Sequence, residues 1–170
     1  RTMGIDRPVV VQYVDWVGRA VQGDFGTSLF SRFTVTELIK TKAPITAQLS
    51  LMAIAISMVL SFPFGIVSAI RPNSIVDYAS RTISIASLSA PNFWLALLTI
   101  LLLSKYVGWF PPLKYSYPWD DPWANLQKTL IPAIILGTST AGVLTRYIRS
   151  ALLEVLRQDY MTTARSKGLS

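Results

Sequence analysis

From Pro44 to Ile70 no charged side chain occurs, and the run contains Leu49, Leu51, Met52, Ile54, Ile56, Val59, Leu60, Phe62, Phe64, Ile66 and Val67. At about 1.5 Å rise per residue, a helix of this length crosses a hydrocarbon core of about 30 Å with room for tilt. Lipid cannot satisfy a free backbone amide or carbonyl, so an apolar run of this kind must fold on itself as a helix. The pattern therefore predicts a transmembrane helix over 44–70, kinked where Pro63 and Gly65 fall together.

Two further uncharged runs follow. Thr82 to Ser104 carries Pro91 and Asn92 inside it, followed by the very apolar Leu95 to Leu103; it predicts a second transmembrane helix over 82–104. Thr129 to Thr145 is shorter and rich in small residues, among them Ala133, Gly137, Thr138, Ser139, Thr140, Ala141 and Gly142. Small residues let helices approach closely in lipid, so the third predicted span, over 129–147, reads as a packed inner helix. The fold class is all-α and polytopic, with three spans visible and the two ends on opposite sides of a bilayer.

The segments between the spans are aqueous or interfacial. Residues 1–43 include an amphipathic stretch from about Pro8 to Val21, with Val10, Val14, Val17 and Val21 at helical spacing. Residues 71–81 form a short polar connection from Arg71, Pro72 and Asn73 through Asp77 to Arg81. Residues 105–128 form a loop crowded with Trp109, Trp119, Trp123, Tyr106, Tyr115, Tyr117 and Pro111, Pro112, Pro118 and Pro122. Trp and Tyr favour the headgroup zone; a compact, proline-stiffened surface loop is the equal alternative. From residue 148 to 170 the pattern becomes amphipathic, as in a helix leaving the membrane, and Asp159 is placed to cap a short helix from Tyr160 to Lys167 closed by Gly168.

Composition narrows the chemistry. Half of the chain is apolar (51%) and only 15% is charged, and the basic residues flank apolar runs. The net charge of +7 therefore reads as topology-setting charge at membrane edges and not as a nucleic-acid surface. No Cys or His occurs, which excludes disulfides, Cys or His metal sites and a Ser-His-Asp triad within the chain. The uncharged runs 44–70, 82–104 and 129–145 hold no His, Lys, Arg, Asp or Glu, which argues against proton coupling and intramembrane catalysis. No phosphate-loop motif is present; any ATP and Mg would be held by another subunit, and no cofactor is expected here. Polar span residues, chiefly Ser84, Ser87, Ser89, Asn92, Thr138 and Ser139, are candidates to line an aqueous path; the alternative is local hydrogen bonding to their own helices.

Basic residues near the spans number seven on one side (Arg71, Arg81, Arg146, Arg149, Arg157, Arg165, Lys167) and six on the other (Arg32, Lys40, Lys42, Lys105, Lys114, Lys128). The positive-inside rule then places the tail in the cytoplasm by a narrow margin. The start at Arg1 and the stop after Lys167-Gly168-Leu169-Ser170 read as an internal piece of a longer protein. An ion-coupled secondary transporter and a membrane anchor or scaffold are alternatives to an ATP-driven system.

The stretch Asp159-Tyr160-Met161-Thr162-Thr163-Ala164-Arg165-Ser166-Lys167-Gly168-Leu169-Ser170 resembles the cytoplasmic "EAA" loop of binding-protein-dependent ABC importers, in the form seen in dipeptide, oligopeptide and nickel permeases. Gly23-Asp24-Phe25-Gly26-Thr27-Ser28 and Ser89-Ala90-Pro91-Asn92-Phe93-Trp94-Leu95 resemble the same subfamily, in the right order. Thr162 and Thr163 stand where the general motif has Glu and its first Ala, while Ala164 and Gly168 are retained. The resemblance implies a type I ABC importer transmembrane fold in the inner membrane, with residues 1–43 and 105–128 outside and the tail in the cytoplasm. It also implies partners: a second permease subunit, two ATP-binding subunits and an extracytoplasmic solute-binding protein. Tyr160, Thr162, Thr163, Ala164, Arg165, Lys167 and Gly168 are then the segment that docks on the ATPase. The solute, whether peptide, nickel or oligosaccharide, is not read from these residues.

Overall fold

The computed structural model describes residues 7–28, 31 and 33–168, without the side chains of Thr162, Ala164 and Arg165. The regular secondary structure of the described residues is helical, with one isolated bridge between Thr27 and Thr34. Six helices follow one another: α1 (Val9–Val21), α2 (Val35–Ile70), α3 (Ile75–Ser89), α4 (Asn92–Val107), α5 (Pro122–Leu156) and α6 (Asp159–Ser166). The chain divides into two compact units, Arg1–Gln48 and Leu49–Ser170.

In the first unit α1 forms where the valine spacing predicts it, and the glycine motif after it is a fastened turn. Gly23 and Gly26 have φ of 83° and 81°, the left-handed region in which a side chain is strained. The amide of Gly26 donates to Asp24 Oδ1 at 2.9 Å, the Val35 amide to the Gly26 carbonyl at 2.9 Å, and the Thr36 hydroxyl to the Gly23 carbonyl at 2.8 Å. Thr34 and Glu37 then open α2 as a reciprocal cap: the Glu37 amide donates to Thr34 Oγ1 at 3.2 Å and the Thr34 amide to Glu37 Oε2 at 3.0 Å.

The second unit is packed the reverse way from a water-soluble domain. Its buried residues are small or polar and recur every fourth position: Ala53, Ser57, Ser61 and Gly65 on α2, and Asn125, Thr129, Ala133, Gly137, Ala141 and Thr145 on α5. The large apolar side chains, including Val59, Phe62, Leu97 and Leu101, point outward. Small residues at four-residue spacing bring backbones into contact, and lipid solvates the outward face. A Cβ added to Gly65 would lie 2.8 Å from Ile148, and one on Gly137 would lie 2.8 Å from Ile56 and 3.0 Å from the Ala53 carbonyl. Residue numbers rise together along both helices, so this part of α2 and α5 run the same way. Gly142 meets Ser84 and Ser87, and Asp77 meets Arg149, so α3 runs against them.

Two helices running the same way require a returning connection, and α3, α4 and the 108–121 loop supply it. The run 82–104, expected as one span, is instead two helices bent by 91° at a short break. Pro91 explains the break: it lacks an amide donor and pushes the preceding residue out of helical geometry, and Ala90 accordingly sits at φ −103°, ψ 136°. At 15 and 16 residues, neither piece alone reaches about 30 Å at about 1.5 Å per residue. By contrast α2 and α5, at 36 and 35 residues, are longer than the spans predicted within them, and both continue outside the apolar window. The α2 helix passes through Pro63 without interruption.

The loop before α5 is ordered by its own side chains. Tyr117 stacks on Trp119 at 4.8 Å and meets Tyr115 edge-on at 5.3 Å, while Asn125 Nδ2 donates to the Ser116 carbonyl at 2.8 Å. Asp121 caps α5 by accepting from the Ala124 amide at 2.9 Å, with Pro122 in the first turn.

Candidate functional site

The end of α2, the turn after it, the start of α3 and the last third of α5 converge on one carboxylate. Asp77 is wholly buried. The turn that presents it is built locally: Asn73 takes φ 59°, and Ser74 caps α3 by accepting from the Asp77 amide at 3.2 Å. Arg149 of α5 grips the carboxylate side-on, Nε to Oδ1 at 2.7 Å and Nη2 to Oδ2 at 2.9 Å. The Ser68 hydroxyl of α2 donates to Oδ1, and the Asn73 amide to Oδ2 at 3.0 Å. Arg149 Nε also reaches Ser68 Oγ at 3.1 Å. Arg81 Nε lies 3.4 Å from the same Oδ1, its guanidinium 4.6 Å above the Tyr78 ring. Two-pronged arginine–carboxylate bonds fix orientation as well as distance. Removing one partner of such a buried pair strands the other charge, at a cost of about 3–5 kcal/mol.

Arg149 also lines a polar groove of about 500 Å³ with Ser150, Leu153, Glu154, Arg157, Gln158 and Asp159. This groove is the elbow at which α5 gives way to α6. Here α6 begins at Asp159, one residue before the expected start, and Gly168 follows it at φ 80°. Tyr160 is exposed, as are Thr163, Lys167 and Gly168; the Thr163 hydroxyl bonds back to the Asp159 carbonyl at 3.1 Å. The side chains of Thr162, Ala164 and Arg165 lie outside the described residues.

Of the candidate path residues, the structure brings Ser84, Ser87 and Thr138 to one small, mainly apolar cavity of about 210 Å³ between α2, α3 and α5, with Ser80, Ala141 and Thr145. Ser84 and Ser87 spend their hydroxyls on the carbonyls of Ser80 and Ser84 at 2.7 and 2.9 Å. The buried Ser80 hydroxyl has no partner among the described residues. Ser89, Asn92 and Ser139 do not line this cavity; Ser89 is exposed and bonds the Ile85 carbonyl at 2.9 Å.

The Asp77–Arg149 pair is the part that sequence reasoning missed. Arg149 reads as a solvated residue on the polar face of an amphipathic helix, and its partner lies 72 positions away. One signal was available: Asp77 is the sole acidic residue between Glu37 and Asp120, set between long apolar runs.

Outward-facing bulk, a seam of small residues and a polar elbow at one end of the bundle define an all-helical, multi-span membrane protein. Comparison with known proteins makes the assignment specific. Residues 61–170 match the family described as the binding-protein-dependent transport system inner membrane component. The chain is 42% identical to the oligopeptide transport system permease protein AppB of Bacillus subtilis, over 97% of its own length and 53% of that protein's. It is 37% identical to the di/tripeptide transport system permease protein DppB of Pseudomonas aeruginosa, over 99% of the chain and 56% of the relative. A putative peptide transport system permease protein of Brucella suis is 38% identical over 99% and 54%. The chain thus spans about half the length of the curated relatives it matches. It belongs to the family of inner-membrane components of binding-protein-dependent transport systems, and its fold is the membrane fold of type I ABC importers. The family is a membrane component and not a catalytic subunit.

Proposed function

We propose that the protein is a permease subunit of an ATP-driven importer that moves peptides into the cell by alternating access. The observation that carries this reading is the continuity of α5: one helix runs from the small-residue seam, past Arg149, to an elbow and a short α6 on which Tyr160 and Thr163 are exposed. That build suits a lever, in which a partner moving α6 displaces the spanning bundle. The resemblance of Asp159–Ser170 to the docking loop of ABC importers supports the same role for Tyr160, Thr162, Thr163, Ala164, Arg165, Lys167 and Gly168. In this reading two ATP-binding subunits hold ATP and Mg, a second permease subunit completes the pathway, and an extracytoplasmic solute-binding protein delivers the solute. Residues 1–43 and 105–128 face outward, 71–81 and 148–170 the cytoplasm, and Ser84, Ser87 and Thr138 border the path. The names of the oligopeptide and di/tripeptide relatives favour a peptide solute over nickel or an oligosaccharide.

The test is uptake by the full-length protein, reconstituted with its partner subunits in proteoliposomes. We expect tri-alanine uptake to require ATP and the binding protein and to persist when ionophores collapse the ion gradients. Gradient-driven uptake without ATP would overturn the reading.

A further inference from the structure

We propose that Asp77 and Arg149 are positioning residues for energy coupling: their two-pronged bond locks the exit of α5 to the α2–α3 hairpin, so that a displacement of α6 moves the spanning helices together. The inference rests on the permease reading above.

Three observations converge on it. First, the fully buried seam of α5 ends at Thr145, yet the helix continues to Leu156 before α6 begins. Beyond the seam, Ile148 of α5 lies against Gly65 of α2 and Arg149 bonds Asp77 of α3. Van der Waals contact at Gly65 permits sliding. A charge-assisted fork does not, because it fixes both distance and the plane of the guanidinium.

Second, the carboxylate is shared among the moving parts. It takes bonds from Ser68 at the end of α2, from the Asn73 amide in the turn and from Arg149 of α5, while its own backbone opens α3 under the Ser74 cap. At this carboxylate a force arriving along α5 is passed to α2 and α3 together. Third, Arg149 also lines the elbow groove with Glu154, Arg157 and Asp159, so the residue that holds the hairpin shares a groove with the first residue of α6.

Arg81 sharpens the requirement for a charged Asp77. It stands 3.4 Å from Oδ1, so a neutral side chain at position 77 would leave two guanidinium groups facing each other with no anion between them.

The experiment measures tri-alanine molecules moved per ATP hydrolysed, in the reconstituted complex of full-length subunits with loaded binding protein. Asp77→Asn is expected to lower this ratio by about tenfold. Arg149→Lys, which keeps the charge but not the fork, is expected to lower it by a smaller factor, and the double variant Asp77→Asn/Arg149→Lys to fall no further than Asp77→Asn alone. A bond that only stabilises the fold would reduce assembled complex, and with it transport and ATP hydrolysis in proportion, leaving the ratio unchanged. An unchanged ratio in both single variants overturns the proposal, and so does failure of both to assemble. An unsubstituted complex that moves no tri-alanine overturns the permease reading instead.

Discussion

At the scale of single residues, the packing turns on glycines that cannot be enlarged and on one carboxylate that cannot be neutralised. A Cβ on Gly142 would collide with the Ser87 hydroxyl and lie 2.8 Å from the Ser84 carbonyl, which belongs to backbone and cannot swing away. Overpacking of this kind costs about 1–3 kcal/mol. We expect Gly142→Ala to lower the unfolding temperature of the full-length protein in detergent. Gly18→Ala, in α1 with open space around it, should be neutral or slightly stabilising, since Ala is the better helix former by about 1 kcal/mol. Equal effects at the two sites would contradict the packing account. Gly137 and Gly142 stand out in the sequence as the two ends of a run of small residues, Gly137-Thr138-Ser139-Thr140-Ala141-Gly142. Which partner each of them touches was not visible there, because a contact such as Gly137 with Ile56 is a long-range choice that no local pattern records.

At the scale of elements, local signals marked where helices occur but not how far they run: α2 and α5 are longer than the runs read within them, and α3 begins at Ile75, inside the expected 71–81 connection. Two of the three charge-free runs lie within α2 and α5, the Asp159 and Gly168 signals bracket α6, and the valine spacing gives α1, because each depends on neighbours within a turn or two. The bend between α3 and α4 was signalled by Pro91 but not read, since hydropathy measures what a segment is made of and carries no information on its direction. Pro91→Ala restores a donor and frees Ala90 to become helical. Spin labels on α3 and α4 are expected to move apart in that variant; an unchanged distance would mean that packing against α5, and not proline, imposes the bend. Thr34→Val removes the hydroxyl half of the cap on α2, a loss of about 1 kcal/mol. Faster amide exchange confined to the first turn of α2 is the result to look for.

At the scale of the whole molecule, what distinguishes the second unit is that its exterior is more apolar than its interior. Val59 is 73% exposed in the middle of an uncharged run. On a water-soluble surface Val59→Lys would be harmless; at the centre of a membrane helix a lysine costs about 2.5–3.5 kcal/mol. We expect this substitution to lower the fraction of α2 inserted in a microsomal translocation assay, and unchanged insertion would count against a bilayer-spanning α2. The reversed packing was implied by composition, since small residues cluster in the third uncharged run, but its fourfold register on α2 and α5 emerges only when the helices are set side by side. That register has a consequence for tolerance to change. A saturation survey of the full-length gene should return an inverted map: any bulky apolar residue accepted along the outward faces, and a stripe of refusal at every fourth position, 53, 57, 61 and 65 answering 133, 137, 141 and 145. In a soluble domain the large buried side chains are the irreplaceable ones; here the constraint falls on small side chains, and most of the variation open to them enlarges what must stay small.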